Sequence, residues 1–260
     1  MLWRFWTLSR TAYWALFDPG TPVTYLANVV VRPTFNVLIF GYLVSTVAEG
    51  AQVRGVVVGA AILTLNWSTV GATLQTVGYE LGNGTLGMTI ASPVSRARLL
   101  ASRGILHIPN GLVTAVSGCA IGTLAFDLEF GGVTWAGMAG SVLLIATSFT
   151  AMGLLAGVGS LALREVWALL GVLGILIYVF SGAIVPLDSL HPAAEAFASV
   201  VPGRWGVEGL HHALAGDGLR DIAPYWAGEF AVGAAYFMAA VLALRLYESR
   251  AKARGSVDLV

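Results

Sequence analysis

The chain has 260 residues, of which 57% are hydrophobic and only 11% charged, with 14 acidic and 14 basic side chains giving no net charge. Soluble domains carry about 25% charged residues, so this composition excludes an ordinary water-soluble domain and makes an integral membrane protein the expectation. A lone cysteine, Cys119, excludes an internal disulfide.

Residues 2 to 17 read as an interfacial helix: Trp3, Trp6, Tyr13 and Phe17 recur at helical spacing, while Arg4, Thr7 and Thr11 fall on another face. Arg4 and Arg10 interrupt the apolar run, so it does not read as a secretory signal. Asp18-Pro19-Gly20 ends the helix.

A first span is expected over about 24–46, with Arg32-Pro33 inside it. A charge near mid-span costs on the order of 2.5–3.5 kcal/mol on insertion scales, so Arg32 should snorkel or face protein. The second span covers about 54–79. Asn66, Thr69, Thr73, Thr76 and Glu80 recur at spacings of 3 and 4, which puts them on one helix face. Such a stripe must meet either a partner helix or a water-accessible cavity, and the spacing leaves both open.

Residues 80–103 are too polar to span, are broken by Gly82, Gly84, Gly87 and Pro93, and carry Arg96, Arg98 and Arg103. The third span covers about 105–126, with His107, Asn110, Thr114 and Ser117 on one face and Pro109 tolerated in its first turns. The fourth covers about 135–163 and presents Thr150, Gly153, Gly157 and Ser160 as a small-residue face for close helix contact. A tight turn at Arg164-Glu165 leads to a short fifth span over about 166–183.

Between 184 and 223 come two short apolar or amphipathic helices, Pro192 to Val201 and Arg204 to Ala215, meeting at Pro202-Gly203. They read as a re-entrant hairpin dipping into the outer leaflet against protein. A sixth span over about 225–247 and a basic tail over 248–260 close the chain. The expected fold is therefore all-α, a single transmembrane domain of six spans with an interfacial helix at 1–20.

Basic residues set the orientation. With the N-terminus inside, Arg4, Arg10, Arg96, Arg98, Arg103, Arg164, Arg245, Arg250, Lys252 and Arg254 are inside, whereas only Arg54, Arg204 and Arg220 are outside. Both termini and the 80–103 loop are expected to be cytoplasmic, and the membrane to be the plasma membrane.

Lys252 is the only lysine, so the chain has no P-loop, which needs Gly-rich backbone followed by Lys-Ser/Thr. Any ATP that drives it must be hydrolysed by another chain. No His-Glu-x-x-His metal site occurs. Adjacent His211 and His212 point about 100° apart on a helix and do not suit one metal. An ion-coupled secondary carrier usually holds acids near the midplane, whereas Glu49, Glu80, Asp127, Glu129 and Glu165 sit at span ends. Glu229, one turn into the sixth span, is the partial exception.

The ordered set of Arg32-Pro33…Ile39-Phe40-Gly41, Glu80…Asn83-Gly84-Thr85-Leu86, Ser92-Pro93-Val94-Ser95-Arg96 and Ser181-Gly182…Pro186…His191-Pro192…Val201-Pro202 resembles the membrane subunits of ABC-2-type ABC exporters. The resemblance implies two membrane subunits, identical or homologous, and two cytoplasmic ATPase subunits. ATP and Mg would be bound by those partners; no cofactor or metal is expected in this chain, nor any nucleic acid. It implies an ATPase-coupling helix at 80–103, carried by Glu80, Asn83, Gly84, Thr85, Leu86, Ser92, Pro93, Arg96 and Arg98. A cargo cavity would be lined by Asn66, Thr69 and Thr73 with Leu173, Ile177 and Phe180, and an outer gate would include Pro186, Phe197 and Pro202. That lining suits an amphiphilic or hydrophobic cargo such as a drug, antibiotic or lipid. A glycoconjugate or polysaccharide exporter is the other reading within the family, and a secondary carrier the reading outside it.

Overall fold

The computed structural model describes residues 6, 7, 9, 22–82, 95–163, 165–184, 187 and 191–253. Most of the expected interfacial helix, and residues 83–94 of the expected coupling loop, lie outside these. The described residues form helices joined by short turns, with no strand among them.

Helix α1 runs over 22–45, α-helical at Pro22–Leu26, π-helical at Ala27–Val31 and α-helical again at Arg32–Ser45. Helix α2 runs over 51–82 and likewise holds a π segment, Asn66–Gly71, between Ala51–Leu63 and Ala72–Gly82. Short α3 (Arg96–Gly104) passes through a two-residue turn into α4 (His107–Phe126). Then come α5 (Trp135–Leu163), α6 (Val166–Phe180), α7 (Pro192–Ala198), α8 (Arg204–Ala215) and α9 (Leu219–Ala253).

Five of these stretches are long and apolar enough to cross a membrane: Ala27–Ser45, Ala51–Gly78, Arg96–Phe126, Trp135–Leu163 and Leu219–Arg250. Helix α6 has 15 residues, about 22 Å at 1.5 Å per residue, which falls short of the roughly 30 Å hydrocarbon core. It stops at Phe180, three residues before the sequence-based end, because the chain turns at Gly182 with φ of +78°, a conformation open to glycine. Helix α9 begins six residues before the sequence-based start. Pro224 lies inside its first turns, where it removes only one backbone hydrogen bond.

α2 is the centre of the subunit. Residues 57–66 and 68–74 are buried on every side, enclosed by α1, α4, α5 and α6. Its contact with α5 depends on the small-residue face read from the sequence. A Cβ on Gly153 would fall 2.7 Å from the Val70 carbonyl oxygen and 3.0 Å from Thr73 Cβ, and one on Gly157 would fall 2.7 Å from Val77 Cβ. Thr150 and Ser160, on the same face, are also buried. Backbone cannot yield as a flexible side chain can, so Gly153→Ala forces the two helices apart. The expected cost is about 1–3 kcal/mol, as for other overpacked cores. Thermal melting in detergent checks it against Gly159→Ala, where the added methyl meets nothing within 4 Å and should be neutral or slightly stabilising.

Contacts sort the connections into two ends. At one, Arg54 donates to the carbonyl oxygens of Glu129 (2.8 Å) and Leu214 (3.0 Å), and Thr134 Oγ1 donates to that of Asp217 (2.7 Å). The α1–α2 and α4–α5 turns and the α7–α8 hairpin therefore share this hairpin end. At the other, Arg96 at the start of α3 pairs with Glu248 near the end of α9 at 2.6 Å.

Candidate transport and coupling sites

The hairpin is built from standard helix-terminal chemistry. His191 caps α7 by accepting from the Ala193 N–H at 3.3 Å, with Pro192 at the first helical position. α8 starts at Gly203 (φ +94°) and ends at Gly216 (φ +90°), both in the left-handed region that glycine occupies without a Cβ penalty. Val207, Leu210, Ala213 and Leu214 bury its apolar face against α5 and α9.

What holds the first turn of α8 is Glu229, one of the fully buried side chains. Its carboxylate accepts from the Gly203 N–H at 2.8 Å, from the Gly206 N–H at 2.9 Å, and from the hydroxyl of Ser148 on α5. Gly206 allows the approach: a Cβ there would meet the Glu229 carboxyl carbon at 3.3 Å and overlap Ile145. An anion at a helix N-terminus is favoured by both the orphan N–H groups and the helix dipole. Because α9 begins at Leu219, Glu229 is about 15 Å along the helix, not one turn in as the sequence suggested. One carboxylate thus ties α9, α5 and the hairpin together.

Beside the hairpin lies a cavity of about 710 Å³. Its apolar wall includes Val44, Val47 and Ile184, and its polar wall Gln52, Glu195, Glu208 and His211. Arg204 and Glu208 pair at 2.5 Å one turn apart on α8. Burial pushes the His211 imidazole below its usual range; Glu208 opposes this, while Arg204 and His212 add to it. His212 instead meets Asp217 at 2.5 Å and stacks on Tyr225.

A second cluster joins α1, α2 and α6. The Arg32 guanidinium lies 3.7 Å from the centre of the Trp67 ring, and Trp67 stacks on Trp167 with centroids 6.3 Å apart and planes at 29°. One turn beyond Arg32, Asn36 Nδ2 donates to the Tyr178 hydroxyl at 2.6 Å. The π segment of α1 ends at this cluster and that of α2 begins there. In a π turn one extra residue widens the helix, a deviation frequent at functional sites.

The residues expected to line a cargo cavity divide. Asn66, Thr69, Thr73 and Ile177 are buried inside the subunit. Thr69 returns its hydroxyl to the Leu65 carbonyl at 2.5 Å and packs where Gly111 of α4 leaves room, as Thr73 does at Gly153 of α5. In this arrangement the polar stripe of α2 is packing between helices, with Thr76 meeting His107 at 3.0 Å and Ser68 meeting Thr114 at 3.0 Å. Leu173 and Phe180 are half-buried, and Phe180 packs edge-on against Phe197 with centroids 5.1 Å apart.

Of the expected gate residues, Phe197 is 46% exposed at the hairpin end and Pro202 is buried, while Pro186 lies outside the described residues. Of the expected coupling residues, Asn83, Gly84, Thr85, Leu86, Ser92 and Pro93 lie outside them too. Glu80 is described only as part of the α2 backbone. Arg96 and Arg98 start α3, and Arg96 reaches Glu248. Arg32 and Glu229 were noticed in the sequence, but their partners were not. Arg96–Glu248 gave no local signal at all.

Among the described residues are several membrane-length helices and no metal-binding cluster of His, Cys, Asp or Glu. The model of the ABC-2 type transporter family matches residues 19–214. The chain belongs to that family, and is a multi-pass permease subunit without an ATPase of its own. No curated protein matches it.

Proposed function

We propose that this subunit exports an amphiphilic or hydrophobic cargo, driven by a separate ABC ATPase that presses on residues 80–103 from the cytoplasm. The family match across residues 19–214 carries this reading. The chain's single lysine lies outside any P-loop context, which supports a nucleotide site elsewhere than in these residues. In this reading α6 is the short fifth span and α9 the sixth, the α7–α8 segment dips into the outer leaflet and caps the exit, and a second membrane subunit completes the path.

The 80–103 loop leads directly into α4 and follows directly from α2. A rigid segment joined to two spans moves both when its partner closes on ATP. Glu80, Arg96 and Arg98 are proposed to stand at that contact. Copurification with a P-loop ATPase, followed by ATP-driven transport in proteoliposomes, tests the assignment. Glu80→Arg should leave ATP hydrolysis running while transport per ATP falls at least tenfold. Coupled export at the wild-type ratio would remove residue 80 from the contact.

A secondary carrier fits less well. Among the described residues the acid set deep in a long apolar helix, Glu229, has both carboxylate oxygens taken by Gly203, Gly206 and Ser148, the arrangement of a cap and not of an ion site.

A further inference from the structure

Among the described residues, Arg32 is a cation placed well within a membrane-length helix whose charge meets no carboxylate. It is exposed on the subunit surface, and among the described residues its guanidinium makes no ion pair or hydrogen bond; its partner is the face of Trp67. A guanidinium has five N–H donors in a planar fork, and a cation–π contact satisfies none of them. Hydrocarbon cannot satisfy them either.

Snorkelling does not explain the geometry. Trp67 is the seventeenth residue of the 32 in α2, about 24 Å from the start of that helix at 1.5 Å per residue. The guanidinium is held against the middle of a membrane-crossing helix, away from the head-group level. Tyr178 adds a second donor. Its oxygen accepts from Asn36 Nδ2, so its own O–H is directed elsewhere. Beside these polar groups the stacked Trp67 and Trp167 rings form an apolar slab, and Trp167 is 59% exposed.

We propose that Arg32, Trp67 and Tyr178 form a membrane-embedded contact for the head group of an anionic amphiphile, with Trp167 against its apolar body. The proposal rests on the transport reading and gives its cargo a charge. A planar fork over an aromatic face suits a phosphate monoester, sulfate or carboxylate. A second copy of this chain would not supply the anion: among the described residues the carboxylate deep in a long apolar helix is Glu229, already engaged, while Asp221 and Glu248 lie near the ends of α9. Resident lipid head groups rest near the bilayer surface, whereas a cargo in transit crosses this depth.

The test uses the full chain in phosphatidylcholine nanodiscs, with no ATPase present. Tryptophan quenching is titrated with 11-bromoundecyl phosphate and, for comparison, with 11-bromoundecyltrimethylammonium. The phosphate probe should bind at least tenfold more tightly. Arg32→Gln should abolish that preference and Arg32→Lys retain part of it, because the charge stays while the fork is lost. Should Arg32→Gln fail to fold, Tyr178→Phe serves instead, removing one donor while keeping every tryptophan reporter and reducing the phosphate preference about threefold. Equal binding of the two probes by the wild type, or an undiminished preference in the variants, overturns the proposal. Competition by phosphatidylglycerol in the disc at equal mole fraction would make this a resident-lipid site and overturn the cargo assignment. Failure of ATP-driven export with the preference intact would sink the transport reading alone; export without the preference would sink this one alone.

Discussion

Glu229→Ala should release the α7–α8 hairpin. The substitution strands the buried N–H groups of Gly203 and Gly206, both directed at the carboxylate, while the Ser148 hydroxyl keeps the Ile145 carbonyl as its acceptor. Each orphaned buried donor costs about 1–3 kcal/mol, so the loss is roughly 3–5 kcal/mol, near the value for breaking other buried charged networks. Melting in detergent should fall sharply, and proteolysis should begin within residues 199–216. Glu229→Gln keeps one acceptor oxygen but turns an NH2 towards a donor, so it should recover only part of the loss. A melting temperature for Glu229→Ala equal to wild type would show that the cap carries no weight.

Arg96→Glu should uncouple the proposed motor from the membrane, and the swap Arg96→Glu with Glu248→Arg should restore it. The pair at 2.6 Å joins α3, the described part of the proposed coupling segment, to the end of α9. Exposed pairs contribute only about 0–1 kcal/mol, but these side chains are 18% and 8% exposed, so two like charges here repel where water screens them weakly. Transport per ATP hydrolysed should drop at least tenfold in the single variant and return to within about threefold in the double. A double variant no better than the single would assign the defect to something other than the pair.

Those two expectations rest on contacts that the sequence did not announce, and the reason is physical. Spans, the Pro202-Gly203 hairpin and the Gly153–Gly157 contact face are local patterns of hydropathy, turn chemistry and residue size. They are legible because period and composition alone decide them. Glu229 with Gly203, Arg96 with Glu248 and Arg32 with Trp67 join residues 26, 152 and 35 positions apart, where no local periodicity links the partners.

The α2 stripe is a different case, because its spacing left a partner helix and a cavity equally open. A polar face indicates a cavity only when the opposite face is lipid or core, and α2 is enclosed all round. Threonine suits such a site, since Thr64, Thr69 and Thr76 each return the hydroxyl to their own helix backbone. The cavity assignment from Asn66, Thr69 and Thr73 therefore needed the neighbours of α2, not its own spacing.

The π segment Asn66–Gly71 also sets how α2 can vary. Each α-helical residue advances the chain by about 100° around its axis, and a wide turn holds one residue more than a regular turn would. Losing that residue would restore an unbroken helix and swing everything on one side of the lesion by about a quarter turn relative to the other. The half bearing Gly59, which approaches the Ala183 carbonyl, and the half bearing Val77, which meets Gly157, are thus set in phase by the surplus residue. A single deletion within 66–71 would leave both halves chemically intact and still misalign one against its neighbour, making this short stretch the least forgiving of length change in the helix.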